Sequence, residues 1–100
     1  MILKSKNKKS YIVYKIDESE FEVISIWGSF FHRCSFCNKF VMQGTIYYIP
    51  LYDSYFCEEC YKIWEGRTVY APESFETEQE NSIKFENECS DLELKITEKF

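Results

Sequence analysis

Two close pairs of cysteines, Cys34-Ser-Phe-Cys37 and Cys57-Glu-Glu-Cys60, stand 19 residues apart in a chain of 100. No other feature restricts the fold as much. A Cys-x-x-Cys turn aims both sulfurs at one point, and two such turns supply the tetrahedron of soft donors that zinc prefers, at about 2.3 Å per sulfur. For the pairs to meet, the chain between them must fold back on itself. Residues 39–51 read as two strands about Gln43-Gly44, with Pro50 confining the second strand to a sheet edge or to its own end. The spacing therefore predicts one structural Zn²⁺ per chain, held by Cys34, Cys37, Cys57 and Cys60. A four-thiolate shell serves iron as well as zinc, and the ligands alone do not separate the two.

Other uses of the cysteines fit less well. Five is an odd number for a disulfide framework, and the amino end, with Lys4, Lys6, Lys8 and Lys9, lacks the apolar core and cleavage site of a secretory signal, so an intracellular, cytoplasmic setting is expected. Neither pair follows the strand-then-helix context of a redox motif. Asn38, just past the first pair, tolerates the positive φ that such a knuckle needs, and Arg33 and Lys39 are placed to screen the thiolates. His32 is expected to be an ordinary loop histidine, because four cysteines already close the shell. Cys89 stands apart between Glu88 and Ser90 and reads as a bystander thiol.

Outside the cysteines the chain divides by charge and periodicity. Residues 1–16 hold five Lys and no acid, whereas residues 73–100 hold nine acids and three Lys. Residues 1–9 read as a solvated basic tail. Residues 10–28 read as a β-hairpin, from the β-branched and aromatic runs 11–16 and 21–27. The second cysteine pair opens a short helix in which Cys57, Tyr61 and Trp64 share a face and Gly66 is placed to end it in the left-handed conformation. A helix this short is marginal alone, and a metal at its first turn would pin it. Residues 67–100 read as an acidic extension with weak strands at 82–85 and 91–97, or with Ser90 capping a terminal helix. The whole is expected to be one small α+β domain, stapled by zinc because a chain this size buries limited apolar surface. The metal clamp, more than the apolar interior, is expected to set its shape.

A knuckle at 34–37, a hairpin, then a second cysteine pair opening a helix resembles the treble-clef class of zinc folds, and the string from Arg33 to Gly66 is similar to one module of a LIM-type finger. The resemblance implies ligand roles for Cys34, Cys37, Cys57 and Cys60 and transfers no other residue. A LIM domain has a second set of four ligands directly after the first, and here only Cys89 remains.

Function classes are narrowed by what the sequence lacks. A closed four-thiolate shell leaves no position for an activated water. His-Asn-His nucleases use several histidines and this chain has one; the deaminase signature and the phosphate-binding glycine motifs are absent as well. An enzyme is not expected. There are 19 aromatic residues, and the segment 40–52 is apolar on both alternating faces, so one face must be covered by the amino-terminal hairpin or by another chain. Tyr52, Tyr55 and Phe56, on the loop before the second pair, and Glu73, Glu76, Glu78 and Glu80 are the candidate partner-binding residues.

Two roles follow. The first is a zinc-stabilised protein-interaction module, a small acidic inhibitor or adaptor acting on a nucleic-acid-processing complex; size and acidity also suit small phage-encoded inhibitors of bacterial defence. The second is a nucleic-acid-binding finger using the amino-terminal lysines, Arg33 and Lys39, with aromatic rings stacking bases. The net charge of −5, about −7 with zinc-bound thiolates, disfavours phosphate backbones and anionic lipid, so neither nucleic acid nor a membrane is the expected partner.

Overall fold

The structure, a computed structural model, describes residues 2–27, 33–41 and 44–99. His32, the Gly28-Ser29 break and Gln43 of the expected turn lie outside the described residues. Strand β1 (Ile2–Lys6) pairs antiparallel with β2 (Ile12–Ile16) across a turn in which the Asn7 side-chain oxygen accepts the N–H groups of Lys9 at 2.9 Å and Tyr11 at 3.1 Å. Ser10 takes the left-handed conformation there, at φ 71°. The amino-terminal hairpin thus exists, but it occupies residues 2–16 and not 10–28. The basic head is a strand, because Asn7 offers the backbone a side-chain acceptor that closes the turn.

Helix α1 (Glu18–Trp27) stands where the second strand of that hairpin was expected. Phe21 and Ile24, one helical turn apart, are both fully buried, and the Phe21 N–H reaches the Asp17 carbonyl at 3.0 Å. Glu18 and Glu20 in the first turn complement the helix dipole. With β2 already paired to β1 on one side, the alternating pattern of 21–27 yields to the helical spacing of Phe21 and Ile24.

Strand β3 (Ile46–Ile49) pairs with β2, and β4 (Ser54–Cys57) pairs with β3, both antiparallel. Pro50 ends β3, as expected, and starts a 3₁₀ turn through Tyr52. The hairpin between the cysteine pairs is therefore β3–β4, turning at 50–53. The strand expected before Gly44 is reduced to a single bridge, Arg33 to Phe40. Helix α2 (Glu58–Arg67) follows β4, helix α3 (Phe75–Asp91) follows a 3₁₀ turn at Pro72–Ser74, and β5 (Ile96–Lys99) pairs parallel with β1. The resulting five-stranded sheet has the order β4-β3-β2-β1-β5.

Register places Lys4, Tyr14, Tyr48 and Tyr55 side by side across four strands, hence on one face. Helix α3 covers that row. Phe85 stacks on Tyr48 at 4.2 Å and tilts against Tyr14 at 4.7 Å, while the Tyr14 hydroxyl and the Lys4 ammonium both donate to Glu86, the latter at 2.8 Å. On the opposite face Tyr61 of α2 stacks on Tyr47 at 4.0 Å. The two apolar faces of β3 are thus covered by α3 and α2 of this chain, and not by the amino-terminal hairpin or a second chain.

The acidic extension is mostly α3, and its buried stripe is Glu78, Ser82, Phe85 and Cys89. Glu78, only 2% exposed, accepts the Ile12 N–H at 2.9 Å. Continuing the β2–β3 register would set Ile12 opposite Pro50, where β3 has already turned away, so the carboxylate supplies the acceptor that the strand no longer does. Burial pushes the Glu78 pKa up, against the pull of the Ile12 N–H and of Lys6. Asn81 closes the same break by donating to the Pro50 carbonyl at 2.7 Å, and Asp53 accepts from both Tyr48, at 2.6 Å, and Lys84, at 2.7 Å. Of the two expected late strands, 82–85 is inside α3, Ser90 lies in its last turn, and 91–97 is strand only at Ile96 and Thr97, because α3 runs through Asp91 and β5 spans Ile96–Lys99. Among the described residues no helix is long and apolar enough to cross a membrane.

Two measurements follow from this packing. Phe85→Ala removes the ring that bridges α3 to three tyrosines and should cost about 3 to 5 kcal/mol in urea unfolding. Asp53 and Glu86 are partly buried, which opposes ionisation, but the Lys84 and Tyr48 bonds in one case, and the Lys4 and Tyr14 bonds in the other, hold both pKa values below the ordinary carboxylate range. A lowered folded pKa adds stability above the unfolded value, which is lost as pH falls through the folded one. The double variant Asp53→Asn, Glu86→Gln should therefore be less stable than the parent at neutral pH, with the gap closing below about pH 4.

Candidate metal centre

The first pair sits on a knuckle closed by its own backbone. The Cys34 N–H donates to the Lys39 carbonyl at 2.9 Å, and the Asn38 N–H donates to the Cys34 carbonyl at 2.9 Å. Asn38 takes φ 62°, the left-handed conformation anticipated from its residue type. The knuckle is fixed to the sheet by the Ser35 N–H, which reaches the Tyr55 carbonyl of β4 at 2.8 Å. Strand β4 then delivers the second pair: Cys57 is its last residue and the N-cap of α2, with Cys60 one turn further on. This pair does sit in a strand-then-helix setting, contrary to expectation, and it is the meeting with Cys34 and Cys37 that marks it as a metal pair.

Helix α2 is held against the sheet by aromatic contacts. Tyr61 lies on Tyr47, and Trp64 packs on Tyr11 at 5.4 Å and edge-on to Phe56 at 6.2 Å. Glu58 and Glu59 occupy the favourable first turn. Gly66 does not end this helix. It stays helical, and the Thr68 N–H closes the last turn on the Trp64 carbonyl at 2.9 Å.

The outcome is a cluster in which the sulfurs of Cys34, Cys37, Cys57 and Cys60 all lie within 4.8 Å of one another. Cys34, Cys57 and Cys60 are buried, and Cys37 is exposed. Cys37 Sγ and Cys57 Sγ are 3.9 Å apart. A disulfide would need about 2.05 Å, whereas sulfurs at the corners of a tetrahedron around zinc are about 3.8 Å apart. The donor set fits a four-thiolate metal ion, and no disulfide joins any of the five cysteines.

Electrostatics point the same way. Burial works against a Cys34 thiolate, yet the backbone N–H groups of Cys57, Cys37 and Phe36 directed at its sulfur hold the pKa down to about 7. Cys57 is pushed up by burial and then by the Cys34 sulfur, and Cys60 by burial and then by the sulfurs of Cys57, Cys37 and Cys34. The protein by itself favours a thiolate at Cys34, and burial together with nearby sulfur opposes those of Cys57 and Cys60. A divalent cation at the centre reverses that opposition, so binding would be coupled to proton release.

The other candidate residues scatter. Tyr52 is 51% exposed and Glu73, Glu76 and Glu80 are exposed, but Tyr55 and Phe56 are core residues of β4 and Glu78 is buried under α3. Tyr55 and Phe56 were expected on a loop; the strand runs to Cys57 because β3 ends early enough at Pro50 to give them a pairing partner. Cys89 stands outside the sulfur cluster, as expected of a bystander, but it is fully buried at the end of the α3 stripe. Arg33 lies over the Phe40 ring at 4.8 Å. Phe36, 59% exposed, escaped the sequence reading because it occupies a spacer position inside the first pair.

The centre and the fifth cysteine separate by mutation. Cys60→Ser should abolish stoichiometric metal in elemental analysis. Cys89→Ser should keep the metal but, by placing a hydroxyl in an apolar site, should lower unfolding stability by about 1 to 3 kcal/mol.

Comparison of the chain with protein-family models, with curated proteins and with solved structures gave no match in any of the three.

Proposed function

We propose that the chain is a non-enzymatic, zinc-stabilised protein-interaction module whose metal centre is of treble-clef type. The observation that carries this reading is the convergence of four cysteine sulfurs within 4.8 Å, three of them buried. Four thiolates fill a tetrahedral shell, so zinc here would supply folding free energy and no open position for a substrate. The order of elements supports the treble-clef assignment: a knuckle at Cys34 and Cys37, the hairpin β3–β4, then α2 opened by Cys57.

What supports a role without catalysis is how the polar groups of a cleft beside the knuckle are used. This opening of about 710 Å³ lies between the knuckle and α3, and its Asp53 is bonded to Tyr48 and Lys84. Those groups hold the fold together. The acidic exterior favours a basic protein surface, and a small inhibitor or adaptor of a nucleic-acid-processing or defence complex fits that surface. Direct nucleic-acid binding is less well supported, because Lys4 of the basic head is bonded to Glu86 at 2.8 Å and lies 3.5 Å from Glu98.

The metal part is tested by stoichiometry and by chelation. One zinc per chain is expected, and its removal should raise hydrogen exchange at 34–41 and in the first turn of α2. Strands β1 and β2 with α3, packed through Tyr14, Phe85 and Glu86, should remain protected, so the clamp governs the knuckle more than the whole chain. Metal-free protein with unchanged exchange at the knuckle would refute the reading. The interaction part is tested by affinity capture on zinc-loaded protein at moderate salt. A saturable protein partner is expected, and recovery of none would count against the role.

A further inference from the structure

Three large apolar rings near the metal centre are exposed, and of these Phe40, 59% exposed, already carries Arg33, whereas Phe36 and Tyr52 share a buried neighbour. Phe36 is 59% exposed and Tyr52 is 51% exposed, and they flank the buried Phe56 at ring separations of 5.8 and 6.1 Å. Neither ring is loosely held. Phe36 lies inside the Cys34–Cys37 turn, whose backbone is closed by the Cys34 and Asn38 hydrogen bonds. Tyr52 is parallel to Phe56 within 8°, and its hydroxyl accepts the Trp64 indole N–H at 3.2 Å. Rings fixed in this way bind at low entropic cost.

The surrounding charge selects what they bind. Four thiolates around a divalent ion are a dianion, and Phe36 sits between two of the four. Cys57, directly after Phe56, opens α2 with the exposed Glu58 and Glu59. Lys39, also exposed, is the basic residue that shares a small cleft with them. An anionic field around aromatic faces attracts a cation and repels phosphate. Arginine matches best, because its planar guanidinium lies flat on a ring and sheds water more readily than an ammonium. The chain already makes one such contact internally, Arg33 over Phe40 at 4.8 Å.

We propose that Phe36 and Tyr52, seated on Phe56, form a docking platform for an arginine-bearing apolar segment of a protein partner. This surface assignment rests on the interaction role proposed above.

The test uses the zinc-loaded 100-residue chain titrated with a short peptide alternating arginine and leucine, with lysine-leucine and citrulline-leucine counterparts, and with oligothymidylate. Backbone amide shifts locate each contact, and calorimetry gives affinity. The arginine peptide should move the Phe36, Tyr52 and Phe56 amides and bind more tightly than the lysine peptide, and the citrulline peptide should not bind. The double variant Phe36→Ala, Tyr52→Ala should keep its zinc and lose about tenfold or more in affinity. Affinity unchanged by that variant, shifts confined to the exposed Glu73, Glu76 and Glu80, or tighter binding of oligothymidylate at the same amides would overturn the assignment. Should a captured partner be retained equally by the double variant, the platform is wrong and the interaction role stands. Should the parent protein capture none, the role itself fails.

Discussion

Four sulfur atoms from two separate turns meet at the end of one edge strand, and that meeting decides where the rest of the metal-proximal half can go. Strand β4 is the hinge of the arrangement: its Tyr55 carbonyl receives the knuckle through Ser35, and its last residue is both a candidate ligand and the start of α2. Because strand side chains alternate, Tyr55 and Cys57 share one face while Phe56 takes the other, against Trp64. One short strand therefore serves the sheet, the core and the sulfur cluster together. Shifting its register by one residue would turn Cys57 away from the other three.

The opposite half is organised by α3. Its inward stripe is unusual in carrying a carboxylate and a hydroxyl, Glu78 and Ser82, ahead of Phe85 and Cys89. The carboxylate is there because β3 breaks at Pro50 and leaves a backbone donor of β2 without a strand partner. Asn81 and Lys84 mend the same break from the outside. A polar group at the centre of a helix-sheet interface is costly unless it is satisfied, and here it completes a hydrogen-bond ladder.

These two halves were unequally legible in the sequence. The cysteine cluster, the positive φ of Asn38, the stop at Pro50 and the helix after Cys57 all follow from local chemistry: ligand spacing, one tolerant residue, one missing N–H, one run of helical period. The amino-terminal reading failed where two periods overlapped, since 21–27 satisfies a strand by alternation and a helix through Phe21 and Ile24. Helix α3 was hidden for a different reason. Two of its four buried positions are polar, so no apolar stripe marks 75–91, and the acids that suggested a solvated tail include one that the core requires. Pairing of β1 with β5 is a contact between segments far apart in the chain, which no local pattern encodes.

That last pairing has a consequence for how the molecule comes into being. Strand β1 leaves the ribosome well before β5, yet they lie side by side and parallel, with Ile2 beside Ile96. Until β5 has been synthesised, β1 can be joined only by β2 and presents a bare edge to its surroundings. Lysines at 4 and 6 on that waiting strand would discourage neighbouring nascent chains from adding to it in the interval.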